Sequence, residues 1–141
     1  MGCESALAGL ELACWWLCLL VAEVLGYLES RVAACVEAGL SRDRLVVDPG
    51  IGFGKALDHN LSLFNSLQLI SEIGLPVLVG ASRKSMIGAI TGRSIDERLA
   101  GSLALVALAA LRGASIIRVH DVAESRDVVE MISAVTRGSK Q

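Results

Sequence analysis

Side chains capable of chemistry follow three short apolar runs, each at the point where the run ends. Asp48 follows Leu-Val-Val directly. Lys84 follows the run Val-Leu-Val after the turn Gly-Ala-Ser-Arg, and the third run, Ile-Ile, leads into Arg118 and His120. A carboxylate can accept two N–H bonds from the edge of an amidine-like heterocycle, and a guanidinium offers a planar fork that binds phosphate or stacks on a ring. An imidazole can donate to oxygen. This combination favours a flat or anionic small ligand.

Each of these residues also has a purely structural interpretation. Asp48 can cap the turn that follows it, and Arg118 can pair with Asp121 or with Asp48. His120 can cap a turn in the same way, and Lys84 can belong to a solvated basic turn. The coincidence of three such groups at three strand ends favours a binding site over these alternatives.

Alternating helices and strands must position these groups. An apolar stripe from Val21 predicts a helix that ends near Ala38, and a second helix is predicted to begin at Asp58. A capping box, Ser-Ile-Asp-Glu at 94–97, precedes an apolar helix over 99–111, and another capping box at 121–124 begins the last helix. Buried strands are predicted at 44–48, 77–79 and 114–121. If these strands run parallel, their carboxyl ends share one rim of an α/β sheet.

Composition limits the class of protein and its partners. The chain has 141 residues, 53% of them hydrophobic, with a net charge of −2, which predicts one domain and no nucleic-acid partner. In the apolar N-terminal segment, the uncharged stretch between Glu11 and Glu23 is only eleven residues long. Roughly 20 are needed to span a bilayer, so no membrane partner is expected. The cysteines show no metal spacing, and Cys14 and Cys18 are interpreted as buried thiols in a reducing, cytoplasmic protein.

The pattern of the glycine-rich run Asp-Pro-Gly-Ile-Gly-Phe-Gly-Lys at 48–55 argues against nucleotide binding. Its glycines are misplaced for a phosphate loop, since Lys55 is followed by Ala56, and the dinucleotide fingerprint fails as well. Glycines at a strand end still let a ligand approach the backbone closely.

Four segments together carry a family resemblance: 48–55, Gly-Ala-Ser-Arg-Lys-Ser-Met-Ile-Gly at 80–88, Glu-Arg-Leu-Ala-Gly-Ser-Leu-Ala at 97–104, and Ile-Ile-Arg-Val-His-Asp-Val at 116–122. In this order and spacing they resemble bacterial dihydropteroate synthases, over about residues 21–137. The resemblance implies a transferase of folate biosynthesis, which joins p-aminobenzoate to 6-hydroxymethyl-7,8-dihydropterin pyrophosphate. It also implies a TIM (β/α)8 barrel, of which this chain would be the last three strands with their helices, in a parallel sheet.

The resemblance also implies roles for individual residues in binding the two substrates. Asp48 would bind the guanidine-like edge of the pterin, and Lys84 would hydrogen-bond the pterin ring. Phe53 and Ser85 would line the p-aminobenzoate pocket, where sulfonamides compete.

The leaving group would be held by Arg118 and His120, with Arg118 also lying over the pterin ring. Departure of pyrophosphate leaves positive charge on the pterin methylene, so the enzyme mainly has to fix the ring and stabilise the leaving anion. Lys84, Arg118 and His120 are therefore the expected catalytic residues. Mg²⁺ would assist by family resemblance, but the loop that contacts it has no counterpart here, and no metal ligand is expected in this chain.

The resemblance leaves part of the barrel and both ends of the chain unaccounted for. A complete barrel needs about 200 to 250 residues. Residues 1–20 form an atypical apolar segment whose Trp15 and Trp16 could cover an exposed surface, and residues 138–141 are expected to fray. A homo-oligomer is expected through helices 95–111 and 122–135, partly because a three-strand sheet has open edges. The alternative is a truncated, non-catalytic chain that binds a pterin weakly or only self-associates.

Overall fold

The structure, a computed structural model, describes the backbone of residues 4–138 and the side chains of residues 19–138. Helices and short strands alternate along the chain, as predicted. The elements are α1 (Glu4–Glu37), a 3₁₀ helix (Arg42–Arg44), α2 (Leu57–Asn65), α3 (Leu67–Ser71), β1 (Leu78–Val79), α4 (Ser85–Thr91), a second 3₁₀ helix (Ile95–Glu97), α5 (Leu99–Leu111), β2 (Ile116–Ile117) and α6 (Val122–Gly138).

The sheet consists of two parallel strands and one flanking bridge. In β1 and β2, Leu78 lies opposite Ile116 and Val79 opposite Ile117. Val47 forms a parallel bridge to Val77 on the other side of β1. The predicted parallel order is confirmed, but the strands are shorter than predicted. The run 44–48 contributes only its bridge, because its first residue still belongs to the 3₁₀ helix.

The stripe of apolar residues along α1 packs onto the core. Val21, Leu28 and Val32 are buried, as their helical spacing predicts. The helix ends at Glu37, close to the predicted Ala38, and Gly39 follows at φ +90°. There Leu40 N–H donates to the Cys35 carbonyl at 3.0 Å, which closes the last turn.

The segment predicted as one helix from Asp58 is two helices. The first begins at Leu57, with Ala56 as the residue before it, so Asp58 lies in the first turn and does not cap it. The predicted cap was wrong because the helix already begins at Leu57: Ala56, at φ −61° and ψ 163°, is the last extended residue before it. The helix then stops at Ser66, and α3 follows at once. Leu63, Leu67 and their neighbours still face the core.

The apolar helix α5 packs mainly against α6, with further contacts to α4 and β2. The capping box predicted before α5 is present, but it begins the short 3₁₀ helix. Glu97 Oε2 accepts from the Ser94 N–H at 3.2 Å and from the Ser94 hydroxyl at 2.9 Å. These bonds hold the pKa of the Glu97 carboxyl below its usual value.

Several predictions concern the N-terminal segment and the tail. Within the part of the chain that the structure describes, no helix is long and apolar enough to cross a membrane. The predicted boundary between an atypical segment (1–20) and the family region (21–137) falls inside α1. This boundary stays a prediction. The side chains of Cys14, Cys18, Trp15 and Trp16, and the tail beyond Gly138, lie outside the described residues.

Candidate functional site

The carboxyl ends of β1 and β2 bring three of the predicted site residues around one cavity. Lys84, Arg118 and His120 line a cavity of about 390 Å³, together with Gly80 and Ser82. Arg118 and His120 follow β2, which ends at Ile117, and both reach this cavity. Three nitrogen-bearing side chains, two of them cationic, therefore converge on one small open space.

Arg118 lies flat across the end of β1. A Cβ built on Gly80 would come within 2.8 Å of Arg118 Nη2, so the guanidinium occupies the space that a side chain at 80 would fill. The backbone N–H of Arg118 donates to the Val79 carbonyl at 2.9 Å, which fixes the backbone that carries this side chain. A planar cation held in this way can stack on a flat ring or bind an anion.

His120 is held by Ser82, a buried residue that sequence reasoning did not single out. The His120 N–H donates to Ser82 Oγ at 3.3 Å, and its ring Nδ1 lies 3.1 Å from the same oxygen. The hydroxyl therefore joins the turn after β1 to the segment after β2. It orients the imidazole and leaves the other ring nitrogen, Nε2, for a ligand.

Arg83 pairs with Asp121 rather than pointing into solvent. Its Nη2 lies 2.5 Å from Asp121 Oδ1 and its Nε lies 3.2 Å from Oδ2. The hydrogen bonds from Arg83 lower the pKa of the Asp121 carboxyl, and the pKa of Arg83 is raised in turn. The structural alternative in which Arg118 pairs with Asp121 is therefore not realised, because Arg83 takes both carboxylate oxygens. The last helix begins at Val122, directly after Asp121, as predicted, and the Ser125 backbone N–H donates to the Asp121 carbonyl at 3.1 Å.

Lys84 connects the cavity to the loop at 50–54. Its Nζ lies 3.8 Å from the centroid of the Phe53 ring, a cation–π contact that brings the two predicted residues together. Its stem passes so close to Gly52 that a Cβ there would lie 2.6 Å from Lys84 Cδ. Phe53 remains 57% exposed, so its ring keeps a free surface for a ligand.

Asp48 and Ser85 stand apart from the cavity. Asp48 Oδ1 accepts from the Gly50 N–H at 2.8 Å, which is the turn-capping role that the sequence left open. The carboxylate lines a separate cavity of about 350 Å³ beside α1, with Tyr27 and Lys55. Ser85 is exposed at the first position of α4 and does not line either cavity.

A buried asparagine, Asn60, shapes the loop that carries Phe53. Its Oδ1 accepts from the Gly52 N–H at 2.6 Å, and its Nδ2 donates to the Lys55 and Ala56 carbonyls at 3.0 and 2.9 Å. The residue is only 4% exposed. The available sequence signal was a polar residue at helical spacing from the apolar Leu63 and Phe64, but nothing in the sequence showed which loop it would serve.

Metal binding has no support in the described side chains. Among residues 19–138, no group of three or more His, Cys, Asp or Glu side chains is gathered as a metal would require. The acidic side chains nearest the rim, Asp48 and Asp121, are each engaged by a neighbour. These residues do not fit a magnesium site.

Comparison with known proteins places this rim in a family. Residues 19–120 match the family described as pterin binding enzyme, which is well over half of the chain. The chain belongs to this family. Within it, the chain is 48% identical over 113 residues to the dihydropteroate synthase of Escherichia coli K12, a match that covers 80% of this chain and 40% of that one.

Solved structures of pterin binding enzymes share the fold. A Xanthomonas albilineans dihydropteroate synthase in complex with 7,8-dihydropteroate superposes with a TM-score of 0.81 at 47% identity, covering 83% of this chain and 45% of that one. A Yersinia pestis dihydropteroate synthase with a sulfonamide drug gives 0.82 at 39% identity, covering 84% and 43%. The chain thus spans less than half the length of each of these three relatives. The resemblance predicted from the four segments is confirmed.

Proposed function

We propose that this chain provides the pterin-binding rim of a dihydropteroate synthase of folate biosynthesis, a transferase. The observation that carries the proposal is the cavity lined by Lys84, Arg118 and His120 in a chain of the pterin binding family. The substrates would be 6-hydroxymethyl-7,8-dihydropterin pyrophosphate and p-aminobenzoate, and the products dihydropteroate and pyrophosphate.

The three cavity residues suit the breaking of the bond to pyrophosphate. As the C–O bond to pyrophosphate breaks, negative charge collects on the leaving oxygens, and Arg118 and His120 would donate hydrogen bonds to them. The Arg118 plane can also lie over the pterin ring. Lys84 would hydrogen-bond the ring and hold its methylene carbon toward the incoming amine. The p-aminobenzoate nitrogen forms the new C–N bond and loses one proton, and no strong base is needed because an arylamine is already a nucleophile.

The second substrate is proposed to lie beyond Lys84, against Phe53 and Ser85. The exposed face of the Phe53 ring offers a surface on which a benzoate or a sulfonamide ring can stack, while the Lys84 cation occupies the other side. The exposed Ser85 hydroxyl can donate to a carboxylate. Asp48 would bind the guanidine-like edge of the pterin, which requires its carboxylate to face the same ligand as Lys84.

The fold is proposed to be part of a (β/α)8 barrel, namely its last three strands with their helices. The parallel order of Val47, β1 and β2 supports this, as does the superposition on a dihydropteroate synthase of which the matched part is 45%. A barrel of this kind collects its functional groups at the carboxyl ends of the strands, where the cavity lies here.

The remaining features are proposed from family resemblance. Magnesium would assist the reaction, but the described residues do not fit it, so no step is assigned to it. A cytoplasmic location is proposed from the cysteines, which are interpreted as thiols of a reducing compartment. Homo-oligomerisation is proposed through the helices at 95–111 and 122–135, which expose Ile95, Leu111 and Met131.

The proposal predicts that the chain forms dihydropteroate from both substrates and Mg²⁺ when a second chain supplies the rest of the barrel, and that replacing a cavity residue reduces this sharply. Arg118→Ala should lower kcat/KM at least about 100-fold, the usual effect of losing a preorganised charge donor. Product formation followed by chromatography checks it. Arg126→Ala is the matched control, since it removes an exposed arginine of α6 whose partner is Glu130.

The alternative function has its own outcome in the same experiment. A chain that binds a pterin in calorimetry, weakly and through Lys84, yet forms no product with both substrates, is the non-catalytic protein. A chain that binds neither a pterin nor pyrophosphate contradicts the proposed function altogether.

A further inference from the structure

Arg83 adopts a backbone conformation that disfavours side chains. Its φ is +56°, and it is the one non-glycine residue with positive φ in the described part of the chain. An L-residue is held there only where surrounding contacts fix it, and such residues concentrate at functional sites. The contacts around Arg83 therefore call for a physical explanation.

Two segments fix this turn: the start of α5 and the residue before α6. The Arg83 N–H donates to Ser102 Oγ at 2.9 Å, and Arg98 Nη1 donates to the Arg83 carbonyl at 3.1 Å, so α5 and the residue before it hold the backbone. Ser102 is itself only 2% exposed and donates to the Arg98 carbonyl at 2.8 Å. The guanidinium then reaches across to Asp121 with two hydrogen bonds.

Arg83 does not line the cavity, but its neighbours do. Ser82 and Lys84, on either side of it, both line the cavity, and so does His120, which precedes Asp121. The ion pair between Arg83 and Asp121 therefore joins the two segments that carry the cavity groups. A second link, from Ser82 Oγ to His120, runs parallel to it.

We infer that Arg83 is a positioning residue: through its left-handed backbone and its pair with Asp121, it sets the distance and direction of Lys84 relative to Arg118 and His120. This inference rests on the proposed function, in which those three groups act on one ligand. Arg83 itself touches no substrate. Arginine suits the role because only its planar fork engages both oxygens of a carboxylate; a lysine would keep the charge and lose that geometry.

The test uses the whole chain with Arg83→Lys, Asp121→Asn and the double variant. The matched control is Arg126→Lys, because Arg126 forms an exposed ion pair with Glu130 that is far from the turn in sequence. Three measurements are made on each: the urea unfolding midpoint, calorimetric titration with inorganic pyrophosphate, and the NMR signals of the Lys84 amide and the His120 ring.

We expect both single variants to bind pyrophosphate at least tenfold more weakly than the unmodified chain, with displaced Lys84 and His120 signals. The double variant should lose no more than either single one, since the two residues act as one unit. The unfolding midpoints should stay close to that of Arg126→Lys.

Several outcomes overturn the inference. Pyrophosphate affinities within twofold of the unmodified chain, with unchanged Lys84 and His120 signals, would do so. So would loss of the fold in Asp121→Asn, because Arg83 would then hold the domain together rather than aim its neighbours. If the unmodified chain binds no pyrophosphate, the leaving-group role proposed for Arg118 and His120 fails, and the NMR signals alone decide on Arg83: displaced signals keep the positioning role and unchanged signals remove it.

Discussion

Lys84 reaches Phe53 because a glycine leaves room for its stem. Gly52 has φ +78°, and its missing side chain is the space through which Lys84 Cδ passes. Arg118 uses Gly80 in the same way at the end of β1. At the scale of single residues, the positions of Lys84 and Arg118 at the rim therefore depend on the small size of Gly52 and Gly80.

This arrangement predicts different effects for two neighbouring glycines. Gly52→Ala should push Lys84 away from Phe53 and weaken binding of p-aminobenzoate or a sulfonamide at least about fivefold, as the loss of about 1 kcal/mol of a cation–π and stacking contact implies. Calorimetry or fluorescence titration measures it.

Gly54→Ala is the control for backbone strain. Gly54 also has positive φ, at +62°, but nothing lies within 4 Å of a Cβ built there. Both variants should lose similar stability, and only Gly52→Ala should lose affinity. Equal affinities for the two variants would contradict the steric role of Gly52.

At the scale of elements, α2 controls the loop before it. Asn60 projects from this helix into the loop at 50–56. Its side-chain amide forms hydrogen bonds with the Gly52 N–H and with the Lys55 and Ala56 carbonyls. Buried amide groups in a loop need such partners, since leaving them unpaired destabilises the fold. The glycine-rich run holds its shape because of a side chain that follows it in sequence.

Removal of this side chain is expected to be costly. Asn60→Ala should lower the free energy of unfolding by about 2–3 kcal/mol, because three hydrogen bonds of about 1 kcal/mol each are lost in a buried site. Chemical denaturation gives this quantity. Asn65→Ala, at an exposed residue of the same helix that accepts one bond from Arg112, should cost less than about 1 kcal/mol. Equal costs would show that Asn60 has no special role.

At the scale of the whole molecule, the open sheet and the apolar helices leave much hydrophobic surface uncovered. The groove of about 640 Å³ between β2, α5 and α6 is lined mainly by apolar side chains, including Val106 and Ile132. Leu111 and Met131 are 59% and 64% exposed on the two helices. Surfaces of this kind favour association.

Self-association should therefore depend on these two helices. Leu111→Glu with Met131→Glu should shift the chain toward monomer at concentrations where the unmodified chain associates, because two charges would have to be buried at the contact. Sedimentation velocity across a concentration series measures the shift. Ile90→Glu, at a residue of α4 that is 59% exposed, is the control and should leave association unchanged. Equal shifts would place the contact elsewhere.

Local patterns in the sequence determined much of this protein. The stripe on α1, the capping box at Ser94 and the apolar runs before Asp48, Lys84 and Arg118 depend on neighbours within a few residues, so periodicity and capping chemistry predict them. The four quoted segments were sufficient to predict the family.

The tertiary structure alone decided which groups meet. Nothing local indicates that Arg83 pairs with Asp121, 38 residues away, that Ser82 holds His120, or that Asp48 faces a different cavity from Lys84. Pairing between distant segments depends on how β1 and β2 align and on how α5 packs behind them. The sequence could predict that the strand ends lie at one rim. It could not predict which side chains pair across the rim, because that depends on the register between strands, which is not a property of any single segment.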